Sequence, residues 1–260
     1  MVFTFKSCCF AVCVLSLALS VNADTIRGAL QRKLTDNVLL SSLGSNGSLD
    51  DPLPANSYTA LGIVGLTGIL YLDARDTANG DAWTFTFPAA FTTAALSEVV
   101  FVDPDTQPPV LYRASDSDDE NYQSYAAKVT WLVSGPITLG ATSFVGGTMK
   151  SGQTITLGAT ARSGDLCADA AIVLGAAANS RSITGLAAIT VGAGGTCGAI
   201  DAGAAITVGA GSFIDSLKAG GATTIGATVR CKDAPLLAWT TCAEDTSEDS
   251  FNCPNLPNLN

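Results

Sequence analysis

The sequence predicts an all-β chain built as a single β-solenoid, and three observations carry that prediction. A six-residue motif recurs at steps of 18, 17, 17, 17 and 17 residues: ITLGAT at Ile137 and Ile155, IVLGAA at Ile172, ITVGAG at Ile189 and Ile206, and TTIGAT at Thr223. Within each copy large apolar residues alternate with small or polar ones, the period of a strand with one buried face. The composition, with 26 glycines, 7% aromatic and 14% charged residues, suits thin layers of small side chains better than one large aromatic core. A strand plus Gly/Ala turns cannot bury its own apolar face and becomes stable only by stacking on copies of itself.

The elements follow in chain order. Residues 1–23 carry one early charge, Lys6, then an apolar run from Cys8 to Leu19 and the small residues Val21-Asn22-Ala23. That is the layout of a secretory signal peptide, and the apolar run is too short to cross a bilayer as a helix. Removing it takes away one basic residue and no acid, so the formal charge of -10 becomes -11. An acidic, extracellular chain is expected. Residues 24–57, rich in Ser, Asn, Gly, Asp and Pro, read as a flexible leader. Asn46 opens the triplet Asn-Gly-Ser, a glycosylation candidate in a secreted loop.

The solenoid domain is expected over 58–240, with its regular repeats over 137–230. Apolar segments of strand character run from Tyr58 to Val102, among them Trp83-Thr84-Phe85-Thr86-Phe87 with strict alternation. Residues 103–124 read as a loop, with Pro104, Pro108 and Pro109 ahead of the acidic run Ser115 to Tyr122. Calcium could use such oxygens, but the EF-hand spacing and its glycine are missing, so the run reads as a solvated loop.

In the repeats the first and third motif positions, such as Ile137 and Leu139 or Ile206 and Val208, are expected to point inward, and the second position and the glycine outward. A rung of ~17 residues at ~3.3 Å each has a perimeter of about 56 Å, enough for three short sides. Outward residues then form columns spaced ~4.7–4.9 Å apart. The first is Thr138, Thr156, Val173, Thr190, Thr207, Thr224. The second is Thr142, Thr160, Ala177, Gly194, Gly211, Thr228. Threonine ladders also occur on solenoids simply because Thr suits an exposed strand. A flat array of methyls and hydroxyls also matches another periodic surface, such as ice, a carbohydrate or a mineral.

Five cysteines remain beyond the signal: Cys167, Cys197, Cys231, Cys242 and Cys253. In an oxidising compartment they are disulfide candidates, expected to tie a carboxy-terminal cap. One thiol is left over. The cap would use Pro235, Trp239 and the Cys231/Cys242/Cys253 segment, followed by an acidic, Cys-containing tail over 241–260. Metal binding by the last three cysteines is the alternative, without a CxxC or a histidine to support it.

The segment from Lys128 to Gly164, KVTWLVSGPITLGATSFVGGTMKSGQTITLGATARSG, resembles the carboxy-terminal coils of the secreted ice-binding proteins of microbes and algae, a family with a discontinuous β-helix. The likeness lies in the aromatic strand Val129–Val133 with Trp131, the strand Ile137–Gly140, the turn Phe144–Thr148, the strand Ile155–Gly158 and the Arg162–Gly164 turn. Upstream, Asp81–Phe87 and Leu96–Val102 are similar to two further strands of that family. The resemblance implies a β-helix that adsorbs to ice and inhibits its growth or recrystallisation. The family's earlier coils and long helix have no counterpart in residues 24–60. The threonine columns come from the periodicity, not from the family.

Composition narrows the other classes. Without histidine there is no imidazole base, so the usual hydrolase triads and a hexapeptide-repeat acyltransferase lose their chemistry. A glycan-cleaving β-helix needs convergent carboxylates, whereas Asp165, Asp169, Asp201 and Asp215 fall at unmatched phases. The acidic balance disfavours nucleic acid and anionic membranes. The expectation is therefore a non-enzymatic particle, monomeric because it is capped, without metal or cofactor, binding ice through Thr138, Thr142, Thr156, Thr160, Thr190, Thr207, Thr224 and Thr228. The rival reading is a structural or adhesive protein of matrix or cell wall that binds polysaccharide.

Overall fold

The computed structural model describes residues 38–39, 43, 47–75, 81–103, 105–113 and 120–232. The signal segment, Asn46, the tail with Cys242 and Cys253, and the expected cap beyond Lys232, with Pro235 and Trp239, lie outside the described residues. The elements are β1 (Val38–Leu39), β2 (Ser57–Thr59), β3 (Val64–Leu66), β4 (Ile69–Asp73), β5 (Trp83–Phe87), β6 (Phe91–Thr93), β7 (Glu98–Asp103), β8 (Val110–Arg113), α1 (Glu120–Ala126), β9 (Val129–Val133), β10 (Ile137–Leu139) and β11 (Phe144–Ser151). The regular part follows with β12 (Ile155–Leu157), β13 (Arg162–Ala168), β14 (Ile172–Leu174), β15 (Asn179–Gly185), β16 (Ile189–Val191), β17 (Thr196–Ala202), β18 (Ile206–Val208), β19 (Phe213–Ala219), β20 (Thr223–Ile225) and β21 (Arg230–Cys231).

The short strands stack in the order β20-β18-β16-β14-β12-β10-β6-β3, all parallel. The long strands β11, β13, β15, β17 and β19 stack in a second, larger sheet. Parallel pairing between successive turns of one chain is a β-solenoid. Each long strand turns a corner. In β15 the buried residues are Ser180, Ile183 and Gly185. Inward residues three apart instead of two mark a break in the pleat, and pairing with the neighbours omits Arg181 and Gly164 at that point. The long strand thus supplies two sides and the short strand the third.

Upstream, separate strands take these places. Of the two sides that a long strand supplies, β4 and β7 build the first, and β2, β5 and β9 build the second in parallel. The corner between them is where the chain leaves the solenoid, and the excursion after β7 differs from the expected loop. It contains β8, antiparallel to β7, and the helix α1. Helix α1 is only seven residues long and is held by tertiary packing more than by propensity: the Tyr122 and Tyr125 rings lie 5.6 and 5.5 Å from that of Phe101. Its one first-turn acid, Glu120, favours the positive end of the helix dipole.

The interior holds the expected first and third motif positions. Ile137, Ile155, Ile172, Ile189 and Ile206 are fully buried, with Leu139, Leu157, Leu174, Val191 and Val208 beside them. The terminal copy differs: Thr223 is exposed and Ile225 half-buried, as expected at the end of a stack. The expectation of small side chains throughout fails in the first coils. There Tyr58, Phe85, Trp131 and Phe91 stack in sequence, with centroids 5.2, 4.3 and 5.1 Å apart. The few aromatics are concentrated in one place, which an average composition conceals. Among the described residues both indoles are satisfied, Trp83 Nε1 donating to the Leu53 carbonyl and Trp131 Nε1 to that of Gly146.

Within the stretch expected as a leader, the described residues are tied to the first coils. Leu43 is fully buried and its amide donates to Gly65, and Leu53 forms a parallel bridge with Leu72. Among the described residues no helix is long and apolar enough to cross a membrane.

Candidate functional site

The short-strand side carries the first threonine column. The register is unbroken: Thr138 lies beside Thr156, Thr156 beside Val173, Val173 beside Thr190, Thr190 beside Thr207 and Thr207 beside Thr224. Thr138, Thr207 and Thr224 are exposed, and Thr156 and Thr190 half-buried between neighbours. Sequence reading missed one member. Thr92 pairs with Thr138 and extends the column into the coils before the helix. The signal was Phe91-Thr92-Thr93, followed by Ala94 where every other copy has glycine.

The glycines do something other than expected. A side chain at Gly158, Gly175, Gly192, Gly209 or Gly226 would place its Cβ 2.5–2.7 Å from backbone atoms of the preceding rung. As the chain leaves the strand, this position faces along the stacking axis and not outward. Glycine is there because the rungs could not otherwise close to hydrogen-bonding distance, and the amides of Gly175, Gly192 and Gly209 do donate to Leu157, Leu174 and Val191. The outward residue is the alanine that follows. Ala141, Ala159, Ala176, Ala193, Ala210 and Ala227 are all exposed and form a column that the periodicity contained but the threonines overshadowed.

The second column stands at a corner. Thr142, Thr160, Ala177 and Thr228 have φ of 56, 58, 55 and 59°, and Gly194 and Gly211 have φ of 71 and 73°. This is the left-handed region, where L side chains are strained and glycine is not. Leu96, with φ of 64°, begins the column. Each such residue turns the chain toward the next side while its amide still reaches the following rung, as Thr142 does to Ala159 and Thr160 to Ala176. The hydroxyls here are partly spent within the protein. Thr142 and Thr160 share a hydrogen bond of 3.0 Å, and Thr160 and Thr228 each donate to the preceding carbonyl. The structure thus separates the eight threonines into five on a strand and three on its bordering corner.

Together the strip reads PITLGAT, TITLGAT, AIVLGAA, AITVGAG, AITVGAG and ATTIGAT from Pro136 to Thr228. It contains no charged and no aromatic residue. Charge lies on the other sides. Asp165 is buried and accepts from Arg181 Nε at 2.8 Å and from Ser182 Oγ at 2.6 Å. Lys232 faces Asp215, and Arg113 faces Glu98. The strip has no nucleophile, acid or base, and it offers repeated methyls and hydroxyls at one fixed spacing. Among the described residues no group of three His, Cys, Asp or Glu is placed to hold a metal ion.

Of the cysteines, Cys197 is a free thiol buried in the interior. Burial pushes its pKa up to about 12. Comparison with models of known protein families, with curated proteins and with solved structures gives no significant match.

Proposed function

We propose that this protein is secreted, is not an enzyme, and adsorbs to ice through the short-strand side, inhibiting ice growth or recrystallisation. The observation that carries this reading is the uncharged strip from Thr92 to Thr228, in which threonines stack in register through consecutive coils. Parallel rungs repeat every ~4.7–4.9 Å, so the hydroxyls and methyls form a rigid lattice with no charge to hold its own hydration shell. Among the described residues the hydroxyls of Thr138, Thr156, Thr190, Thr207 and Thr224 take no hydrogen bond within the protein and remain available to water. The Ala column adds small apolar bumps between them. In the same reading, Cys197 is the odd thiol and the other four cysteines form two disulfides that tie the carboxy-terminal end.

Thermal hysteresis and ice recrystallisation of the mature protein test the reading directly. Replacing Thr190 and Thr207 by Tyr puts two large rings on the strip without touching the core. Loss of activity with an unchanged circular dichroism spectrum is the expected result. No effect of the wild-type protein on ice at high micromolar concentration overturns the proposal. Retention on an insoluble wall polysaccharide, abolished by the same two substitutions, would move the strip to the adhesive role.

A further inference from the structure

A second surface, away from the threonine strip, lies on the outer face of the long strands. Leu166, Ile183, Ile200 and Leu217 are buried in the interior, so the residue after each points outward. Those outward residues stand in one register: Lys150, Cys167, Thr184, Asp201 and Lys218. Lys150, Thr184 and Asp201 are half-buried and Lys218 is exposed, but Cys167 is only 5% exposed.

The neighbouring outward column repeats the pattern. Asp165 is buried, whereas Ser182 and Ser216 are half-buried and Ala199 is exposed. Arg181 and Ser182 explain Asp165, to which both donate. Cys167 has only Lys150 and Thr184 beside it in register. Flanking of that kind leaves Thr184 and Asp201 half-buried, so Cys167 has further cover, confined to β13.

The chain beyond Lys232 is long enough to supply it. Cys231 lies in register with the inward Ile214, four coils from the coil of Cys167, which is about 19 Å at ~4.8 Å per coil. Cys242 and Cys253 follow Cys231 by eleven and twenty-two residues, and eleven extended residues reach ~36 Å. Residues 233–260 hold the acids Asp233, Glu244, Asp245, Glu248 and Asp249 and no base, and Lys150 stands beside Cys167. The described cysteines do not compete. Cys197 is a free thiol inside the coil, and four coils is well beyond the ~4.4–6.8 Å between Cα atoms that a disulfide spans, which excludes Cys231.

We infer that the outer face of β13 is the docking site of this chain's own segment 233–260, fastened by a disulfide from Cys167 to Cys242 or Cys253, with Lys150 facing its acids. The inference rests on the secreted reading above and not on ice binding. Closing the bond oxidises two thiols: both S–H bonds break, one S–S bond forms, and two protons and two electrons leave. The oxidant is a protein disulfide of the secretory compartment, which is reduced to its dithiol by exchange. The docked segment lies on a long-strand side, so the threonine strip stays open.

The mature protein from a secreting host is alkylated in its native state, digested without reduction and mapped by mass spectrometry. The expected result is a peptide holding Cys167 joined to one holding Cys242 or Cys253. In Cys167→Ser, whose fold is checked by circular dichroism, that same tail cysteine becomes open to alkylation. Cys167 recovered as a thiol, or joined to a second chain, overturns the docking. Other disulfides without this one overturn the docking alone, and a chain with no disulfide at all overturns it together with the secreted reading. Thermal hysteresis reads the ice proposal separately from all of these outcomes.

Discussion

Replacing Gly192 by alanine adds one carbon to a half-buried turn, and the structure makes that carbon costly. Its Cβ would sit 2.6 Å from the carbonyl carbon of Gly175, 2.7 Å from the oxygen and 2.8 Å from the Ala176 nitrogen. All three are backbone atoms and cannot rotate away. Ordinary contact starts near 3.4 Å, so the rungs must separate locally by about 0.8 Å. That separation stretches the bond from the Gly192 amide to Leu174, now 2.8 Å, and its neighbour from Ala177 to Ala193. Overpacking of a close-packed interior costs ~1–3 kcal/mol, and weakening two ladder bonds adds about 0.5–1.5 kcal/mol each. A total near 3 kcal/mol is expected. Gly194, two residues on, is the control: its Cβ meets nothing within 4 Å, but φ is +71°. Gly194→Ala costs only the left-handed penalty of about 1–2 kcal/mol, which Ala177 already bears at the same position in the preceding rung. Urea titration followed by circular dichroism, read as the midpoint shift of both variants, checks this. Equal stability of Gly192→Ala and wild type would refute the claim that the glycine column is dictated by stacking.

Four further outcomes follow from the same geometry. Arg181→Met strands the buried Asp165 carboxylate and is expected to destabilise by about 3 kcal/mol, with much of the loss recovered by the double variant Arg181→Met/Asp165→Asn; urea midpoints of the three proteins decide it. The buried Cys197 thiol, with its pKa pushed up to about 12 from 9.0, stays neutral in the fold while the unfolded chain ionises. Stability is therefore full below about pH 9 and declines by ~1.4 kcal/mol per unit as pH rises toward 12, a component that Cys197→Ala removes in thermal melts against pH. The same burial protects the thiol: iodoacetamide at pH 8 should modify Cys197 only after unfolding, and mass spectrometry that finds fast native labelling would contradict its place inside the coil. Ile206→Ala, which empties a fully buried site, is expected to cost 2–5 kcal/mol, read by the same denaturation.

The solenoid, the inward ladder of Ile137, Ile155, Ile172, Ile189 and Ile206, and the stacking of Thr138 through Thr224 were legible because a repeat encodes its own register: residues one repeat apart occupy equivalent places in successive rungs, so period fixes contact. Three things were not. Helix α1 is seven residues whose order depends on Phe101, and β8 pairs backward onto β7 after two prolines; both arise from contacts with distant residues and carry no period. Strand alternation points the glycine position outward, but past the strand end the chain has already begun to turn and Cβ swings onto the stacking axis. The same alternation puts the Thr142 column on the flat side, whereas its φ of 56° makes it a corner. Sequence alone determined which residues stack on which, since that depends only on spacing along the chain. Only the tertiary structure decided which way each stacked residue faces, because direction depends on backbone dihedrals set where one rung must close against the next.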